Sequence, residues 1–274
     1  MTAGPTTRAV ILARGLGTRM RRSDATQLTP EQARAADAGS KALLPVGALG
    51  RPFLDYALSA LADAGISEVC LVVAPDDIAL QQRYGGEIPL TRLRICIAFQ
   101  TEARGTADAV LAARTFAGSR HVLVLNADNY YPVDVIRALA SAGAAAVPGF
   151  DRDALVRLGH IDGERVRAYA LLQTNSAGVL TDIIEKPDAS TFARLTGAPV
   201  SMNIWSMPPD IFDACRRVTP SARGELELPD GVRIAIREGV QFQVLPFARG
   251  VLDLSHRGDV AEVTKRLADV EVHL

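Results

Sequence analysis

A chain of 274 residues with 48% apolar and 22% charged residues has the composition of a globular protein that can bury a large core. A net charge of −1 gives no overall field to attract nucleic acid or an anionic membrane, so any anionic ligand must be held by local groups. Cys70, Cys96 and Cys215 are far apart with no CxxC pair and the four histidines are scattered, so neither a disulfide framework nor a zinc site is expected.

The run RAVILA at 8–13 reads as a strand apolar on both faces, and it ends in LARGLGTRM, Leu12 to Met20. Gly15 and Gly17 have no Cβ, so the backbone N–H groups there can come close to phosphate oxygens. The next stretch is polar and rich in alanine. Thr29 as N-cap, Pro30 at the first helical position and Gln32 completing a capping box predict a short helix that Gly39 stops. Both ends of 23–39 adjoin the glycine loop, so the segment is expected to act as a lid. Lys41, in SKALLP, follows Arg19 by 22 residues.

A helix over 52–64, strands at 68–74 and 92–99, a helix over 105–117, a strand at 121–126 and a helix over 132–142 follow in turn. This alternation predicts a mostly parallel sheet covered on both faces, with ligands beyond the carboxyl ends of the strands. NADN, after HVLVL, falls at such an end. Past residue 150 the stretches ALVRLGHI, RVRAYALLQ and GVLTDIIEK read as short antiparallel strands separated by turns at Asp162-Gly163 and Asn175 to Gly178. Helices near 209–217 and 229–238, a strand through QFQVLPF, the segment GVLDLS and a helix from about 258 complete the chain. The expected fold is α/β: one domain over 1–274, a Rossmann-like α/β/α sandwich with a mixed, mostly parallel sheet and a β-rich lobe after about residue 150. MTAGPTTR has no signal-peptide core and no segment is apolar enough to span a bilayer, so a cytoplasmic protein without a membrane partner is expected.

Five signals stand in order: GxGTR at 15–19, SKALLP at 40–45, QTEARGTADA at 100–109, NADN at 126–129 and EKP at 185–187. With them, PSARGELELPD and GVLDLS, the chain resembles the sugar-1-phosphate nucleotidyltransferases over almost its whole length. The resemblance implies that the phosphate of a sugar 1-phosphate attacks the α-phosphorus of a nucleoside triphosphate, giving a nucleotide sugar and pyrophosphate with no covalent enzyme intermediate. Two anions must then be aligned, which calls for positioning and charge neutralisation rather than a nucleophilic side chain.

Carried onto this sequence, the resemblance implies that the half up to about residue 150 binds nucleotide and the half from about 151 binds the sugar phosphate. Gly15, Leu16, Gly17 and Thr18 would cradle the triphosphate, Gln100 and Gly105 would meet the base, Thr106 would bind the nucleotide, and Arg19 and Lys41 would act on the phosphates. Asp128 and Asp253 would share a Mg²⁺ ion, whose hard character suits carboxylate and phosphate oxygens. Lys186 would bind the sugar phosphate, with Glu185, Gly159, Val200 and Asn203 around the sugar. Arg14 and Asn203 depart from the family pattern, which has glycine at both places. Arg14 is expected to add a phosphate ligand, with a narrowing of the loop as the alternative, and Asn203 to reshape the acceptor pocket. A non-catalytic nucleotide-sugar sensor and a dinucleotide-binding oxidoreductase are the alternatives. The second is weakened because the turn lacks the GxGxxG spacing and no acidic residue ends a second strand about 20 residues on. A homo-oligomer is compatible with exposed elements of the second lobe.

Overall fold

The computed structural model describes residues 4–274. In β1 (Arg8–Leu12) Val10 packs into one apolar layer while Ala9 and Ile11 pack into the other, and all three are fully buried. Such burial on both sides is what an interior parallel strand requires. β2 (Glu68–Val73) lies beside β1 and β3 (Arg94–Phe99) beside β2, while β4 (Val122–Asn126) flanks β1 on its other side; all these pairs are parallel. β5 (Ala146–Phe150), β6 (Ile204–Met207) and β7 (Gln243–Phe247) complete the sheet. β6 runs antiparallel to β4 and β5, and β7 pairs in parallel with β5 at the far edge. The order is β7-β5-β6-β4-β1-β2-β3, the mixed and mostly parallel sheet that the sequence predicts.

Helices cover both faces. Phe53–Asp63 and Val133–Ser141 bury Leu54, Leu58, Val135 and Leu139 against one face. Thr106–Ala112, Asp210–Cys215 and Leu228–Arg237 bury Val110, Phe212 and Val232 against the other. A third cluster, with Met20, Leu44, Phe53, Leu254 and Val260, sits beneath the glycine loop and joins the chain's first and last segments.

The second half differs from the sequence reading in two places. ALVRLGHI is not a strand: Arg152–Leu158 is helical, started by the Asp151 carboxylate, which accepts from the Ala154 N–H at 2.7 Å. Asp162 is not a hairpin turn but the cap of a second helix, Gly163–Arg167, accepting from the Arg165 N–H at 2.8 Å. An aspartate before an apolar stretch serves a turn or a cap equally well, and short apolar runs do not distinguish periods of 2 and 3.6. Only the end of RVRAYALLQ is extended, as Leu171–Thr174, paired antiparallel with Leu180–Ile184. Among the described residues no helix is long and apolar enough to cross a membrane.

Candidate active site

β1, β2, β3 and β4 all run the same way, so Ala13, Ala74, Gln100 and Ala127 emerge at one edge of the sheet. The glycine loop crosses that edge. Gly17 has φ 61°, and a Cβ there would lie 2.4 Å from the Gly39 carbonyl oxygen, so only glycine lets the loop rest on the helix Pro30–Ala38. That helix begins with the expected capping box: the Gln32 N–H donates to Thr29 Oγ1 at 3.2 Å and the Thr29 N–H to Gln32 Oε1 at 3.1 Å. Gly39, at φ 74°, ends it. Arg21 donates to the Ala38 carbonyl through Nη2 at 2.8 Å. Arg257 donates to the Met20 carbonyl at 3.0 Å and pairs with Asp37. The insertion is thereby fastened to the loop, and Ala38 and Gly39 form part of the wall of a cleft.

The cleft holds about 620 Å³ and brings together nine of the residues expected to bind nucleotide, metal or phosphate: Arg14, Gly15, Leu16, Thr18, Lys41, Gln100, Gly105, Thr106 and Asp128. Lys41 Nζ donates to Asp128 Oδ2 at 2.9 Å, so SKALLP and NADN meet across 87 residues of sequence. At the opposite end Gln100 Nε2 donates to the Gly105 carbonyl at 3.0 Å and to Asp108 Oδ2 at 2.9 Å. Two acceptors on the amide nitrogen fix the orientation of the amide and leave its oxygen for another partner. Gly105 has φ 114°, and a Cβ there would lie 2.4 Å from the Leu226 carbonyl oxygen. The Leu226 N–H donates to the Arg104 carbonyl at 2.7 Å and the Leu228 N–H to Thr106 Oγ1 at 2.9 Å. RGELEL thus closes this side of the cleft, and Glu225 lines it.

Asp253 does not line the cleft but is tied to Asp128 through the backbone. Leu252–Asp253 pairs with Asn129–Tyr130, and the Leu254 N–H donates to the Asp128 carbonyl at 2.8 Å. Its buried carboxylate is held firmly: Oδ2 accepts from Arg165 Nη2 at 2.6 Å and the Tyr169 hydroxyl at 2.7 Å, and Oδ1 from the Ser255 hydroxyl at 2.8 Å. Arg165 also donates to Asp259 Oδ1 at 2.5 Å. Burial opposes the charge on Arg165, but Asp259 and Asp253 outweigh it and raise its pKa. Burial, then the charge of Asp253, pushes the Tyr169 hydroxyl well above the usual tyrosine range, so it stays a donor. Arg165, Tyr169, Ser255 and Asp259 were not singled out from the sequence. The ion pairs of Arg165 span 88 and 94 residues, and nothing in GERVRAY marks it as a partner of DLS.

Among the described residues no three His, Cys, Asp or Glu side chains converge as a metal cage. Asp128 and Asp253 nevertheless suit a hard dication that also uses phosphate oxygens. Asp128 Oδ1 has no protein partner among the described residues, and Asp253 Oδ1 has only a hydroxyl. Asp128, Asp253 and Asp259 face two cations, Lys41 and Arg165, so the cluster carries a net charge near −1. Phosphate must supply the further negative charge that balances a dication there.

The remaining candidates are dispersed. Arg19 is exposed on the short helix Thr18–Arg21, on the side of the C-terminal segment. Burial lowers the pKa of His256; Asp259 opposes this and Arg165 and Arg19 reinforce it. Lys186 and Glu185 do not line the cleft. They stand near Glu227 and Arg223, at the start of the helix Leu228–Arg237. Burial pushes the Glu185 carboxyl up, with Glu227 reinforcing it and Arg233, Arg223 and Lys186 opposing it. Lys186 has φ 43° and Asn203 φ 58°, the only described non-glycine residues in the left-handed region. Asparagine tolerates that region better than other side chains do, a physical reason why it can stand where glycine is usual. Val200 is buried between Phe150 and Leu171. Tyr131 donates to the Met202 carbonyl at 2.5 Å, linking the segment of Asn203 to that of Asp128. Gly159 packs by backbone contact, since a Cβ there would lie 2.4 Å from the Leu155 carbonyl oxygen and 3.1 Å from that of Val251.

A parallel-strand edge with a glycine loop, a lysine paired to a strand-end aspartate and a second aspartate laddered beside it define a phosphate-handling α/β protein. The nucleotidyl transferase family matches residues 8–254, and the chain belongs to that family, within its sugar-1-phosphate branch. It is 28% identical over 267 residues to a UTP–glucose-1-phosphate uridylyltransferase of Haloferax volcanii, covering 95% of this chain and 96% of that one. It is also 28% identical over 240 residues to a glucose-1-phosphate thymidylyltransferase of an Actinoplanes species, covering 85% of this chain and 68% of that one. A solved UDP-glucose pyrophosphorylase in complex with UDP-glucose shares the fold, with a TM-score of 0.71 at 17% identity over 95% of this chain and 97% of that one. The oxidoreductase reading falls with this assignment.

Proposed function

We propose that the protein condenses a nucleoside triphosphate with a sugar 1-phosphate or a similar cyclic polyol phosphate, releasing pyrophosphate. The observation that carries this reading is the Lys41–Asp128 pair at 2.9 Å, which sets a cation and a carboxylate together at the cleft end nearest the backbone-linked Asp253. The glycine loop holds the triphosphate through backbone N–H groups, and Arg19 and Lys41 counter the charge that builds on the phosphates. Lys186 grips the sugar phosphate, with Glu185, Gly159, Val200 and Asn203 around the sugar. A bound Mg²⁺, held by Asp128 and Asp253, would polarise phosphate oxygens and neutralise their charge. The nucleotide half ends near residue 150, the sugar half follows, and residues 23–39 serve as the lid.

The test is pyrophosphate release with five nucleoside triphosphates, each against a panel of sugar and cyclitol phosphates. Release is expected only when triphosphate, acceptor and Mg²⁺ are all present. No release in any combination would leave the sensor reading. Against that reading stand Arg19, Lys41, Asp128, Lys186 and Asp253, a charged set that ligand sensing alone does not call for.

A further inference from the structure

We infer that Arg14, with Gln100, reads the hydrogen-bonding edge of the nucleotide's base, telling a carbonyl beside a ring N–H from an exocyclic amine beside a bare ring nitrogen; this deepens the transferase reading and rests on it. Arg14 leaves the end of β1 and borders the cleft. Its Nη2 donates to the Thr101 carbonyl at 3.1 Å, while Nε and Nη1 are shielded from solvent and have no partner. Guanidinium N–H groups without partners are costly, and a small turn of the guanidinium plane toward the cleft would let a ligand acceptor satisfy them.

The sheet order decides which part of the ligand that acceptor belongs to. Thr101 follows β3, two strands from β1, and Asp128 follows β4, one strand from β1 on the opposite side. With strands spaced about 4.8 Å apart, the side chain is drawn some 10 Å toward the sheet edge and away from the Lys41–Asp128 pair. That turns it toward the side of the cleft lined by Gln100, whose amide N–H groups are already occupied by Gly105 and Asp108. This end of the cleft therefore offers a donor-only guanidinium beside an acceptor-only amide oxygen. Guanine, uracil and thymine carry a ring carbonyl next to a ring N–H and match that pair. Adenine and cytosine turn an exocyclic amine toward one of the two groups. With the amine on Gln100 and the bare ring nitrogen on Arg14 they match as well, but only in a different placement of the base, so a fixed pair favours one class and sets donor against donor in the other.

The experiment is calorimetric titration of the Mg²⁺ complexes of GTP, UTP, dTTP, ATP and CTP, and of inorganic tripolyphosphate, into the wild-type protein, Arg14→Ala and Arg14→Lys. The wild type should favour at least one base of one class, GTP, UTP and dTTP or ATP and CTP, over the other class by about tenfold to a hundredfold, the discrimination of one good bidentate contact, and equal binding of all five would overturn the inference. Arg14→Ala should erase most of that preference, and Arg14→Lys should not restore it, while tripolyphosphate binds all three proteins alike. Equal weakening of every triphosphate and of tripolyphosphate in Arg14→Ala, rescued by Arg14→Lys, would overturn the inference in favour of a phosphate grip. Unchanged affinities in a folded Arg14→Ala would overturn it in favour of a structural side chain. Base-selective binding without pyrophosphate release would break the transferase reading and leave the role of Arg14 standing.

Discussion

The two ends of the site are built differently. The nucleotide end uses residues that leave adjacent parallel strands, so the sheet itself fixes their spacing, and left-handed conformations there fall on Gly17, Gly39 and Gly105. The proposed sugar end is assembled from loops of the second half, and its left-handed non-glycine positions are Lys186 and Asn203. A non-glycine residue in that region costs of order 1 kcal/mol or more unless its surroundings hold it. On the proposed reading, strain is avoided where the backbone would cradle phosphate and accepted where side chains would meet the acceptor. The first end would then suit a common triphosphate and the second a particular sugar.

Substitutions can break or sharpen that contrast. The largest effect is expected where the two ends join. Asp128→Asn or Asp253→Asn should lower kcat by roughly 100-fold or more, the scale of losing a charged group at a phosphoryl-transfer centre, with circular dichroism unchanged. A near-normal rate in either variant would remove that residue from the centre. Lys186→Ala should raise the KM for the sugar phosphate about tenfold or more, from loss of a charge-assisted hydrogen bond, with the KM for the triphosphate little changed. Equal shifts in both would dissolve the division into two ends.

Smaller effects concern stability. Gly17→Ala places a Cβ 2.4 Å from the Gly39 oxygen at a left-handed position and should cost about 1–3 kcal/mol in denaturant unfolding. Asn203→Gly should be neutral or slightly stabilising, while Asn203→Ala should cost up to about 1 kcal/mol. If glycine there were as costly as alanine, the Asn203 side chain rather than its backbone would be what the fold needs. The smallest effect is on pH dependence. Folding raises the Glu185 pKa, so its charged form weakens the fold above that raised value, and the penalty fades as pH falls toward the ordinary glutamate range. Glu185→Gln should therefore gain stability relative to wild type at neutral pH and lose that advantage near pH 4.5, measured as the difference in thermal midpoint.

The nucleotide end was legible in the sequence because its signals are local. A glycine turn follows an apolar strand, Thr29 to Gln32 spell a capping box, and an aspartate follows HVLVL. The contacts around Asp253 and across the second half were not, because they span distant segments. Arg165 meets Asp253 and Asp259, Tyr131 meets Met202, and Lys186 stands near Glu227. In the same half, short runs such as ALVRLGHI carry no decisive period, so an N-cap aspartate passed for a turn former.

Arg257 holds the Met20 carbonyl and Asp37, so the glycine-loop segment proposed to face phosphate is clamped by a residue 237 positions later than Met20. During synthesis from the N-terminus, the glycine loop and its covering helix leave the ribosome long before that clamp exists. The sheet edge from β1 to β4 can assemble while the loop above it is still unfastened. On the proposed reading, competence to grip a triphosphate then waits for Arg257, 237 positions after Met20.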